Sequence, residues 1–143
     1  MYEKILLAVD GSDESKAAAR AVAGFIDKGI VKQLTVLNVA TNFAGSTFEM
    51  TSIRIDEMNK MAREFGLQVV EEVRDEIRNE VEIIEKVILG DPAHTICEEA
   101  KNSKCDMIVM GSRGKNPISG LFLGSVSTRV LQFAECPVLV VKS

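Results

Sequence analysis

The segment Gly111–Leu131, GSRGKNPISGLFLGSVSTRVL, concentrates the residue types that most directly imply chemistry. Gly111 and Gly114 are separated by two residues, nine more lead to Gly124, and Ser125 follows at once. A phosphate is held by backbone N–H groups that converge on it. Glycines permit that approach because they lack a Cβ and accept positive φ. Gly124-Ser125-Val126-Ser127 opens a helix, and the first N–H groups and positive dipole end of a helix favour an anion. Ser125 and Ser127 can add hydroxyl hydrogen bonds, and Arg113 or Lys115 can screen the charge. The pattern is neither GxxxxGK[ST] nor GxGxxG, and its competing reading is an ordinary glycine-bearing surface loop.

Other reactive side chains point to less. Asp10, in Val9-Asp10-Gly11-Ser12, follows an apolar run and serves equally as a turn residue or as a carboxylate acceptor for a ligand. His94 is the one histidine in the chain. It falls one turn into a helix with no Ser or Cys partner, which reads as a solvated side chain rather than a general base. Cys97, Cys105 and Cys136 are odd in number and lack a CxxC pair. Zinc is therefore disfavoured, and small buried hydrophobes in a reducing compartment are expected.

The elements that must position these residues are legible in the periodicity. Lys4–Val9, Leu34–Val39, Val81–Leu89, Met107–Met110 and Pro137–Val141 read as strands. Their nearly unbroken Ile, Leu and Val content suits a parallel sheet covered on both faces. Ser12 can cap a helix through about Lys28. A second helix from about Thr51 to Arg78 sets Met58, Met61, Ala62, Phe65, Val69, Val73 and Ile77 near one stripe, expected to be core. Asp91-Pro92 begins a third, with an N-cap acid and proline at the first helical position. The fourth starts near Gly124-Ser125. The order β-α-β-α-β-α-β-α-β predicts an α/β fold: a single open, doubly wound parallel five-stranded sheet with helices on both faces. Residues 1–143 are expected to form one domain. Ligands of such sheets bind outside the carboxyl ends of the strands, where strand order reverses. The first and fourth strands end in Ala8-Val9-Asp10 and Met110-Gly111, and Thr41–Met50 is a loop beside the end of the second.

Composition narrows the classes. The chain has 143 residues, 46% apolar and 27% charged, with a net charge of −4, too apolar for a disordered chain. No apolar run reaches the roughly eighteen residues of a membrane span. The opening MYEKILLAVD is too short in apolar residues for a signal-peptide core, so a cytoplasmic protein is expected. Residues 111–143 carry four basic side chains against one acid, +3, which leaves −7 for residues 1–110. An acidic mean argues against nucleic acid, and the basic quarter is the one with the glycine pattern.

The chain resembles the universal stress protein family, in particular its ATP-binding branch, marked by Gly-x2-Gly-x9-Gly-(Ser/Thr). The likeness extends to KILLAVDGSDES, the LxVLxV second strand, GDPAHTI and the ending CPVLVVKS. It implies an adenine nucleotide alpha hydrolase-like sheet of order 3-2-1-4-5 and an adenine nucleotide (ATP, or AMP/ADP) lying across the first and fourth strand ends. By that resemblance Ala8, Val9 and Asp10 line the site, with Asp10 near the ribose hydroxyls. Val39 meets the adenine edge through its backbone. Met110 and Gly111 approach the ribose side, and Arg113, Gly114, Gly124, Ser125, Val126 and Ser127 surround the phosphates. Ala8 stands where the family often has proline. Mg²⁺ would be held mainly by the phosphates. The resemblance also implies a homodimer through the last strand, Val138–Val141, and an edge strand of this kind does need a partner or cover.

Two functions follow. One is a nucleotide-dependent sensor or switch in the stress response, with Thr41–Met50 as a possible lid or protein-partner surface. The other is a slow or partner-activated ATPase or phosphotransferase, which needs an oriented nucleophile that the sequence does not display. An electron-transfer flavoprotein-like or adenylating relative on a related scaffold is a weaker third.

Overall fold

A computed structural model describes residues 2–42, 44, 51–77, 81–114 and 123–143. Nine elements alternate along it: β1 (Lys4–Ala8), α1 (Asp13–Asp27), β2 (Gln33–Ala40), α2 (Ser52–Glu76), β3 (Glu82–Leu89), α3 (Pro92–Asn102), β4 (Met107–Gly111), α4 (Ser125–Phe133) and β5 (Val138–Val141). The strands form one parallel sheet of order β3-β2-β1-β4-β5, in which Leu7 pairs with Val36 on one side and Val109 on the other. The expected architecture and strand order are those observed, with element ends shifted by a residue or two.

Connection direction explains the layers. The chain steps from β1 to β2 to β3 in one direction, then crosses to β4 and β5 in the other. Right-handed crossovers therefore put α1 and α2 on one face and α3 and α4 on the opposite face. The side-chain alternation of the strands obeys this. Ile5, Leu7, Val36 and Val109 pack with Val22, Val69, Val70 and Val73 of α1 and α2. Leu6, Leu37, Ile108 and Met110 pack with Ile96, Ala100 and Val130 of α3 and α4. The inner strands β1, β2 and β4 thus bury both faces, the cause of their nearly unbroken apolar runs.

The α2 stripe differs from expectation. Val69, Val70, Val73 and Ile77 are buried, but Met61 is 68% exposed and Phe65 46%. Only the C-terminal half of α2 lies on the sheet. Gly66 marks the transition, because a Cβ there would run into the buried Asn38 side chain of β2. Asn38 is itself occupied: its Nδ2 donates to the Val9 carbonyl at 2.9 Å and fixes the chain as it leaves β1. The cysteines behave as packing residues, with Cys105 buried and Cys97 and Cys136 half-buried. Burial pushes all three thiols above their ordinary pKa. Among the described residues no helix is long and apolar enough to cross a membrane.

Candidate functional site

Strand order reverses between β1 and β4, and a cavity of about 680 Å³ opens at their carboxyl ends. That is within the range of roughly 300–1,000 Å³ typical of small-molecule sites. All twelve residues singled out in the sequence line it: Ala8, Val9, Asp10, Val39, Met110, Gly111, Arg113, Gly114, Gly124, Ser125, Val126 and Ser127. Lys115 and most of Thr41–Met50 lie outside the described residues, with Thr41, Asn42 and Ala44 the exceptions.

The β1 end is a tight, self-bonded turn. Gly11 adopts φ of 84°, a conformation that favours glycine. The Ser12 N–H donates to Asp10 Oδ1 at 2.9 Å, and the Asp10 N–H donates to Ser15 Oγ at 3.1 Å. Ser12 Oγ in turn accepts from the Ser15 N–H at 3.1 Å and caps α1. Asp10 is therefore turn residue and cavity residue at once. Its other oxygen faces Gly114, where an added Cβ would lie 3.1 Å away.

Opposite stands the start of α4. Its N-cap, Gly124, supplies no side-chain bond, and the first helical bond runs from the Thr128 N–H to the Gly124 carbonyl at 3.0 Å. The N–H groups of Ser125, Val126 and Ser127 precede it, the part of a helix that seeks an outside acceptor. One carbonyl holds this entrance in place: Ser112 O accepts from the Gly124 N–H and from Ser127 Oγ, each at 2.7 Å. Ser112 is tied to β5 as well, through its N–H to the Val141 carbonyl at 2.9 Å.

Three of these residues are also engaged inside the protein. The Ser127 hydroxyl is buried and donates to the Ser112 and Gly124 carbonyls. Arg113 is not a free cation. Its Nη2 donates to Glu14 Oε1 on α1 at 3.0 Å, and that same oxygen accepts from Ser143 Oγ at 3.1 Å. Gly111 lets α1 approach closely, because a Cβ there would lie 2.7 Å from the Glu14 backbone. Gly124 also answers packing, with the Arg113 Cα 3.3 Å from its absent Cβ.

Sequence reasoning missed Glu14, Arg129, Ile96 and Pro92. Arg129 follows Ser125 by four positions, one helical turn along the same face, and that spacing could have found it. Its Nη1 pairs with Asp91 Oδ1 at 3.1 Å, while Asp91 Oδ2 caps α3 by accepting from the His94 N–H at 3.0 Å. These two bonds, the backbone one foremost, hold the Asp91 carboxyl below its usual pKa. Glu14 is held below its own range by its backbone N–H first, then by Ser143 and Arg113, against the opposing effect of burial. His94 is exposed.

The cavity lining therefore combines an apolar part, with Leu37, Val39, Ile96 and Met110, and a polar part at the start of α4. Its place at the switch point of a parallel sheet defines the class: a doubly wound α/β protein with a cavity where such sheets bind their ligands. The Universal stress protein family model matches residues 1–142, and the chain belongs to that family. A universal stress protein of Bacillus subtilis, YxiE, is 34% identical over 149 residues, covering 99% of this chain and all of the relative. The solved structure of MJ0577, a Methanocaldococcus jannaschii universal stress protein, superposes with a TM-score of 0.88 at 27% identity, covering 100% of this chain and 97% of that one. A universal stress protein in complex with cAMP superposes at 0.69 and 27% identity, covering 98% and 97% of the two chains.

Proposed function

We propose that this chain binds an adenine nucleotide, ATP or its products ADP and AMP, in the β1/β4 cavity and works as a nucleotide-dependent switch in the stress response. The observation that carries this reading is the uncapped start of α4 in the polar part of the cavity lining. A phosphate there would receive the Ser125, Val126 and Ser127 N–H groups together with the helix dipole. The apolar part of the lining suits a purine ring, and Asp10, also in the lining, would accept from ribose hydroxyls. Val39 offers backbone at the base edge. The cAMP complex of a family member supports an adenine ligand for the fold at this level of identity. Mg²⁺ would enter on the phosphates.

The switch reading further takes the protein to be cytoplasmic and a homodimer. β5 is an edge strand bonded only to β4, and Val138–Val141 are half-buried, so a second copy pairing along it would satisfy its open backbone groups. Thr41–Met50 is proposed as the surface that a protein partner reads.

The test is native mass spectrometry of the purified protein, followed by calorimetric titration of nucleotide-stripped protein with ATP, AMP and GTP. One adenine nucleotide per chain is expected, with GTP at least about tenfold weaker because the base edge is read by fixed backbone groups. Equal binding of GTP, or no binding of any of the three, overturns the reading. Release of ADP during incubation separates turnover from storage.

A further inference from the structure

Glu14 is the one buried carboxylate among the described residues, and the proposed nucleotide contacts make no use of it. Its side chain is 9% exposed, at the first turn of α1 and against Gly111. The room it occupies exists because Gly111 has no Cβ. Its partner Arg113 is 34% exposed and also lines the cavity. A carboxylate inside the protein thus already holds the cation nearest the glycine pattern. A guanidinium binds carboxylate and phosphate through the same planar fork of donors, so the two anions compete for it.

We propose that Glu14 is a specificity-determining residue of the cavity, an internal competitor for Arg113 that sets how strongly the site discriminates nucleotides by phosphate charge. The proposal rests on the adenine-nucleotide reading above. A monophosphate can be held by the α4 N–H groups with the Arg113–Glu14 pair intact. A triphosphate extends further and carries more charge, and drawing the guanidinium toward it weakens the single Nη2 bond by which Arg113 is held to Glu14. Glu14 is then left with the Ser143 hydroxyl and its own backbone N–H. The cost of leaving a buried carboxylate without its cation is charged against the triphosphate and not against the monophosphate. Discrimination is therefore set by a residue that touches no ligand.

The experiment is calorimetric titration of the full chain, stripped of nucleotide, with AMP and ATP. Glu14→Gln keeps the shape and removes the competing charge. ATP should bind roughly fivefold or more tightly than to the unmodified protein, the lower end of coupling between sites, with AMP changed less than about twofold. Combining Glu14→Gln with Arg113→Gln should erase the gain, which a packing role for Glu14 would not do. Ser143→Ala removes the hydroxyl that remains on Glu14 once Arg113 departs and should shift the ATP-to-AMP ratio further toward AMP, opposite to Glu14→Gln. If Glu14→Gln fails to fold, Glu14→Asp keeps the charge, shortens its reach to Arg113 and should shift the ratio in the same direction. An unchanged ratio in the folded Glu14 variant overturns the proposal while leaving nucleotide binding standing. Failure of the unmodified protein to bind either nucleotide overturns the adenine reading itself.

Discussion

The helices α3 and α4 both begin at the cavity, yet their first turns are built in opposite ways. α3 is closed from within: Asp91 accepts from the His94 N–H, Pro92 removes one donor, and Arg129 neutralises the remaining charge. α4 has glycine in the capping position and no side-chain acceptor. Both turns carry the same dipole, so the dipole alone does not make an anion site. What distinguishes α4 is that, among the described residues, no side chain caps its first donors. The same logic applies to the cations, since Arg129 and Arg113 line the cavity and each already has a carboxylate partner.

The comparison is broken most directly by making α4 resemble α3. Gly124 has extended backbone angles, φ −79° and ψ 173°, which an aspartate also adopts. Gly124→Asp should supply a cap and a negative charge together and weaken ATP binding about 100-fold, as expected of an unpaired anion placed against another. Melting should change by only a few degrees, because the new cap offsets the 3.3 Å approach of its Cβ to Arg113. Undiminished affinity by calorimetry would count against α4 as the phosphate end.

A second substitution asks whether all the motif glycines act alike. Gly111→Ala places a Cβ 2.7 Å from the Glu14 backbone. Overpacking of this kind should cost about 2 kcal/mol in urea denaturation, even with no nucleotide present. A urea midpoint equal to that of the unmodified protein would assign Gly111 to the ligand instead of to the α1 contact.

The smallest effect sharpens the other side. Asp91→Ala uncaps α3 and should cost about 1 kcal/mol, seen as a melting point lower by about 3 °C. The folded-state pKa of Asp91 is lowered, so its contribution is fully present above the ordinary aspartate pKa and is lost as pH falls through the lowered value. The two melting points should therefore differ by a constant amount near neutrality and converge as pH falls below the ordinary aspartate range. A gap that persists in acid would mean that packing, rather than the carboxylate cap, is what the substitution removes.

How far each feature was legible follows from how locally it is caused. The caps of α1 and α3 at Ser12 and Asp91 are short-range bonds spanning three residues, and local sequence reveals them directly, whereas the equivalent bond of Thr51 at α2 was not read. The α2 stripe was overextended because periodicity says which residues share a face but not how far the sheet beneath reaches. Met61 and Phe65 lie on that face but stay largely exposed. Ser127 and Ser125 look equivalent in sequence. One is buried with its proton given to Ser112, and the other is exposed.

By itself the sequence determined the alternation of strands and helices, the layers that follow from it, and the strand ends where a ligand collects. Hydrophobic runs, caps and turn residues act over a few positions, and the handedness of crossovers turns their order into a topology. Only the tertiary structure decided who holds whom at the cavity. Arg113 and Glu14 are 99 residues apart, and Glu14 in a first helical turn reads in sequence as an ordinary exposed acid. Their pairing exists because α1 lies against the end of β4 at a glycine, an approach that is set by packing and that no local pattern encodes.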